Sequence, residues 1–125
     1  MSKSKAGAVS WMDLTVSNAD EVRDFYQAVA GWTAKGCDMG GYEDYSMMRG
    51  DGECVGGICH ARGTNADLPA QWLMYITVDD LEAAMAACLE KGGEVLRKPP
   101  EDATGARTAV IRDPGGAVAA LYQEG

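Results

Sequence analysis

The chain has 125 residues, the size of one ordinary domain, and a fold of that size hides about 65% of the surface its extended chain exposes. Apolar residues make up 46% and charged residues 24%, which excludes disorder over most of the chain. Eleven Lys and Arg stand against 19 Asp and Glu, and a net charge of −8 repels phosphate backbones and anionic membrane surfaces, so nucleic acid is not an expected partner.

The start, MSKSKAGA, is polar and lacks the apolar stretch of a secretory leader, so residues 1–8 read as a disordered leader. From Val9 to Val16 the residues Met12, Leu14 and Val16 alternate with Trp11, Asp13 and Thr15, which predicts a strand. A helix follows. Asn18 can cap it, Asp20 and Glu21 favour its first turn, Gly31 ends it, and Val22, Phe25, Tyr26 and Val29 form an amphipathic stripe. Three short strands come next, near 32–37, 42–49 and 54–60, the last two joined by Gly50-Asp51-Gly52-Glu53. Residues 62–70, RGTNADLPA, are a polar connector. A second alternating strand through Leu73–Val78 leads to a second helix with Asp80 as cap, the stripe Leu81, Ala84, Met85, Cys88 and Leu89, and the stop Gly92-Gly93. Strands near 94–97, 106–112 and 117–122 complete the chain, the last two joined by Asp113-Pro114-Gly115-Gly116. No apolar run approaches the roughly 20 residues needed to span a bilayer.

Laid over itself at an offset of 62, the chain repeats. Leu14, Thr15 and Val16 meet Ile76, Thr77 and Val78, and Gly31 meets Gly93. With one further residue, Gly50–Ile58 falls on Asp113–Leu121. The order βαβββ therefore occurs twice within one domain, 9–123, as a module 9–61, a linker 62–70 and a module 71–123. The expected class is α+β. One helix can cover only one face of each small sheet, so two curved sheets facing each other around a cleft are expected. The cleft parity carries Trp11, Asp13, Thr15, Gly57 and Cys59 from the first module and Leu73, Tyr75, Thr77, Ala120 and Tyr122 from the second. The helix-facing parity carries Met12, Leu14, Val16, Met74, Ile76, Val78, Ala119 and Leu121.

A repeated βαβββ module with Phe25-Tyr26, Gly31-Trp32, the segment YITVDDLEA and Asp113-Pro114-Gly115-Gly116 resembles the vicinal oxygen chelate superfamily of glyoxalases, extradiol dioxygenases and bleomycin-resistance proteins. The resemblance covers about residues 9–123. Metal-dependent members hold one divalent ion through His and Glu from the first and last strands of each module, leaving open positions for vicinal substrate oxygens. Carried across, the first-strand positions fall on Trp11 and Leu73 and the last-strand positions on Gly57 and Ala120, none of which can ligate through its side chain. The resemblance thus implies the fold without the metal, and no other cofactor is expected.

Trp11, Tyr75 and Tyr122, joined by Tyr45 or Met47 from the third strand, give the cleft parity an aromatic character. They read either as a stacking pocket for a flat small molecule or as rings that fill vacated space. Asp13 is a candidate ligand anchor or general base; the structural alternative is an ion pair, for which Arg107 is the available cation. Arg107 is also a candidate for binding an anionic ligand group. Cys59 lies on the cleft parity, whereas the single histidine, His60, points to the other face, which rules out a shared metal or a nucleophile–base pair on that strand. Cys37, Cys54, Cys59 and Cys88 form no CxxC pair and read as reduced thiols of a cytoplasmic protein.

The expected function is metal-independent binding of a small, aromatic molecule, as in resistance proteins that sequester a drug, by a chain that forms a homodimer. The alternatives are a glyoxalase- or dioxygenase-like enzyme with a displaced metal site, or a metal-free enzyme using Asp13 as base.

Overall fold

The computed structural model describes residues 5–101 and 105–125. They form two compact units, one comprising Trp11–Trp72 and the other Leu73–Gly125 with the described residues before Trp11. The elements of the first are β1 (Val9–Val16, entering at Trp11), α1 (Ala19–Ala30), β2 (Thr33–Asp38), β3 (Glu43–Met48) and β4 (Cys54–His60). Those of the second are β5 (Trp72–Thr77), α2 (Leu81–Glu90), β6 (Glu94–Arg97), β7 (Arg107–Arg112) and β8 (Val118–Gln123). The strand order is β2-β3-β4-β1 in the first unit and β5-β8-β7-β6 in the second. In each, the opening and closing strands are parallel neighbours and the remaining pairs antiparallel.

The register reproduces the repeat. Asp13, Leu14 and Thr15 lie beside Gly57, Ile58 and Cys59, and Tyr75, Ile76 and Thr77 lie beside Ala120, Leu121 and Tyr122. The shift is 62 residues on the opening strand and 63 on the closing one, as in the sequence.

Helix ends follow local chemistry with one exception. Gly31 closes α1 in the left-handed region at φ 73°, where a Cβ would be strained. Asp80 caps α2 by accepting from the Ala83 N–H at 3.1 Å, and the Gln123 side-chain oxygen takes the Leu81 N–H at 2.7 Å. Asn18 makes no side-chain cap; its amide donates instead to Glu21 Oε1 at 2.7 Å.

Each helix covers one face of its sheet. Leu14, Val16, Ala19, Tyr45, Met47 and Ile58 form the core of the first unit, and Leu81, Met85, Ala109 and Leu121 that of the second. This corrects the placement of Tyr45 and Met47. Both were expected on the cleft parity, yet β3 pairs Tyr45 with Ile58, so they share the face on which α1 packs. Met12 and Met74, expected against the helices, are 37% and 38% exposed. On β1 the buried residues begin at Leu14, and α1 packs against β4 and β2. The stripe on α1 is likewise only half used, with Val22 and Tyr26 packed inward while Phe25 and Val29 are 54% and 66% exposed.

Tyr26, Trp32 and Trp72 interlock beside this core at centroid separations of 5.3–5.8 Å, and the Trp72 indole donates to the Tyr26 hydroxyl at 3.0 Å. Ahead of β1, Gly7 donates to the Thr77 carbonyl and Thr77 donates to that of Ala8. The expected disordered leader is therefore ordered at Gly7 and Ala8, and its residues 1–4 lie outside the described residues. Among the described residues no helix is long and apolar enough to cross a membrane.

Candidate functional site

The helix-free face of the first unit is built by register. Lys35, Ser46, Gly57 and Asp13 fall in one cross-strand row, and the next holds the pairs Cys37 with Asp44 and Cys59 with Thr15. The two-residue period of β1 puts Trp11 and Asp13 on the same side, and the Trp11 indole N–H donates to Asp13 Oδ1 at 2.6 Å. A Cβ on residue 57 would lie 2.5 Å from that same oxygen. The Asp13 carboxylate thus fills the space that a side chain at position 57 would need, and glycine is what admits it. Asp13 is half-buried and has no ion-pair partner among the described residues.

Cys59, one row along, has its thiol pushed up to about 12, first by burial and then by the negative charges of Asp13 and Asp44. It is a neutral thiol across the physiological range, and a weak nucleophile.

In the second unit Tyr75 and Tyr122 occupy the corresponding face as diagonal neighbours, since Tyr75 pairs with Ala120 and Tyr122 with Thr77. The Ser10 hydroxyl donates to the Tyr75 carbonyl at 3.4 Å and lies 3.1 Å from Thr77 Oγ1, bracing this strand. Arg107 is not with them. It shares the parity of Ala109 and Ile111, which pack against α2, and its Nη2 donates to Glu82 Oε1 at 3.0 Å. It therefore pairs with Glu82 and lines a depression of about 440 Å³ with Met85, Leu89, Val95 and Lys98.

A polar cluster that sequence reasoning did not assemble sits on the helix side of the first unit. His60 lies between two carboxylates, with Nε2 3.5 Å from Asp20 and Nδ1 3.4 Å from Asp44. His60 Nδ1 is buried and makes no hydrogen bond among the described residues, while the Asp44 carboxylate accepts the His60 backbone N–H at 2.8 Å. The Tyr45 hydroxyl donates to Asp20 at 2.5 Å, and this bond, followed by burial, raises the phenol above its ordinary range. The Arg23 guanidinium stacks over the Tyr45 ring at 4.6 Å. In the sequence Asp20 is marked only as a partner for the helix dipole, and Asp44 carries no signal without the β3–β4 register.

The metal-dependent pattern does not fit. In the first unit its positions hold an indole already bonded to Asp13 and a glycine whose side-chain space Asp13 fills; in the second they hold Leu73 and Ala120, both buried. Among the described residues no three His, Cys, Asp or Glu side chains are grouped to hold an ion.

Residues 8–121 match the family model of the glyoxalase/bleomycin resistance protein/dioxygenase superfamily. The anthracycline biosynthesis protein DnrV of Streptomyces peucetius is 30% identical over 100% of this chain and 50% of its own length. CFP32 of Mycobacterium tuberculosis, provisionally named a glyoxylase, is 31% identical over 91% of this chain and 43% of its own. The chain thus spans about half the length of these curated relatives. Among solved structures, a hypothetical protein of Bacillus halodurans superposes with a TM-score of 0.60 at 15% identity, over 97% of this chain and 96% of that one. A methylmalonyl-CoA epimerase of Streptomyces coelicolor gives 0.54 at 17% identity, over 97% and 99%.

Proposed function

The chain belongs to the glyoxalase/bleomycin resistance protein/dioxygenase superfamily, and from that premise we propose that it is a metal-independent small-molecule binding protein whose ligand is flat and aromatic. The carrying observation is the Trp11–Asp13 hydrogen bond of 2.6 Å, seated over Gly57. It presents an apolar ring beside a fixed carboxylate at the place where metal-dependent members keep ligands. An indole fixed in this way supplies contact area at little entropic cost, and the carboxylate fixes orientation. Tyr75 and Tyr122 supply the same kind of surface on the second unit. A relative named for anthracycline biosynthesis supports a fused-ring ligand, since anthracyclines are built on flat fused rings. The described free cysteines accord with a reducing cytoplasm, and a second copy of the chain is the proposed partner.

The test is thermal unfolding against polycyclic aromatic compounds and, in parallel, divalent metals. A ligand at 100 times its Kd adds about 2.7 kcal/mol, a midpoint rise of several degrees for this size of domain. Trp11→Ala is expected to weaken binding by about 2 kcal/mol, roughly 30-fold, as loss of an aromatic anchor does. A saturable shift with metals alone, or unchanged affinity in Trp11→Ala, would refute the reading. A second reading, in which Asp13 is a general base, is favoured by its lack of an ion-pair partner among the described residues. Turnover with an acid-limited pH–rate profile, abolished in Asp13→Asn, would support that reading.

A further inference from the structure

The chemistry around Asp13 constrains what charge a ligand can carry. A carboxylate drawn halfway out of water requires compensation, and the Trp11 indole supplies one neutral hydrogen bond. No cation among the described residues supplies the rest. In the same cross-strand row Lys35 stands three strands away, about 14 Å at ordinary strand spacing, and is exposed. In the neighbouring row Cys59 is held neutral, and the Asp44 carboxylate is engaged by His60, whose backbone N–H it accepts at 2.8 Å. Gly57, the cross-strand partner of Asp13, brings no side-chain charge to the carboxylate that packs over it. Trp11 contributes an aromatic face, which attracts cations and repels anions.

We propose that the group seated beside Asp13 is the cationic part of the ligand, so that this face takes planar aromatic cations and rejects planar anions. The inference rests on the small-molecule binding reading above and names its ligand class. An acyl-CoA or another anionic substrate of the kind bound by the epimerases of this fold would meet the Asp13 carboxylate, which has no ion-pair partner among the described residues.

Three probes of similar size and different charge separate the possibilities: proflavine, a planar cation; acridone, its neutral counterpart; and anthraquinone-2-sulfonate, a planar anion. Their affinities are measured by fluorescence titration and calorimetry on the full chain at low and moderate salt. Proflavine is expected to bind at least ten times tighter than acridone, with the sulfonate weakest. Asp13→Asn is expected to bring proflavine to the acridone level, while Asp24→Asn, an exposed acid on α1, leaves the preference intact. Equal binding of all three probes that is lost in Trp11→Ala leaves the binding site standing and overturns the charge assignment. A proflavine preference that survives in Asp13→Asn also overturns it, because it then reflects general attraction to a chain of net charge −8. Tighter binding of the sulfonate overturns it outright. If none of the probes binds the wild-type chain, the binding reading fails and the charge assignment falls with it.

Discussion

Gly57→Ala tests the arrangement at its tightest point. The added Cβ would lie 2.5 Å from Asp13 Oδ1 and 3.6 Å from the Tyr45 carbonyl, so only the Asp13 side chain has to move. Moving it breaks the 2.6 Å bond from Trp11, a hydrogen bond to a charged acceptor worth about 1.5–3 kcal/mol. Replacing glycine by alanine returns about 0.4–1 kcal/mol by restricting the unfolded chain. The net expectation is a loss of about 1–2 kcal/mol, a fall in Tm of about 4–8 °C for a domain of this size. Urea denaturation of the single variants and of the double variant with Asp13→Ala measures it. Without the carboxylate, Gly57→Ala is expected to be neutral or slightly stabilising, a coupling above 1 kcal/mol. Gly56→Ala is the control: its Cβ would meet the Met12 backbone carbonyl at 2.7 Å, which no side-chain rotation relieves, so its cost persists in both backgrounds. An equal cost for Gly57→Ala with and without Asp13 would refute the reasoning.

Three further outcomes test the surroundings and the helix caps. With its thiol pushed up to about 12 from an ordinary 9.0, Cys59 stabilises the fold fully below about pH 9; that contribution is lost as the pH rises from 9 towards 12, because the unfolded thiol ionises first. In native labelling at pH 8, iodoacetamide should modify the exposed Cys37 and Cys54 while Cys59 stays unmodified by mass spectrometry; rapid alkylation of Cys59 would contradict its burial. Asp80→Ala removes the cap on the Ala83 N–H and should cost about 1 kcal/mol by urea denaturation, whereas Asn18→Ala, which removes no cap, should cost markedly less.

What could be read before folding was whatever depends on local period. Alternation and the 3.6-residue stripe located the strands and both helices, and the doubled βαβββ order survived because the two copies share punctuation at Gly31 and Gly93 and at the turns before β4 and β8. That Asp13 and Gly57 share one face, and Tyr75 and Ala120 another, also followed from strand alternation, whereas their direct pairing is set by the register. On β3 the parity of Tyr45 and Met47 was misassigned, because their alternation with Asp44 and Ser46 shows which residues share a face and not which face the helix covers. Tyr45 is amphipathic enough to be buried in the core while its hydroxyl reaches Asp20, and Arg107 reaches Glu82 on α2 while its stem lies along the helix side. Met12 shares the parity of Leu14 and Val16 and is nonetheless exposed, because where the helix packs is not encoded in the alternation. The His60 cluster unites residues 20, 44, 45 and 60 through strand register and helix docking, and long-range geometry of that kind exists only once the chain has closed on itself.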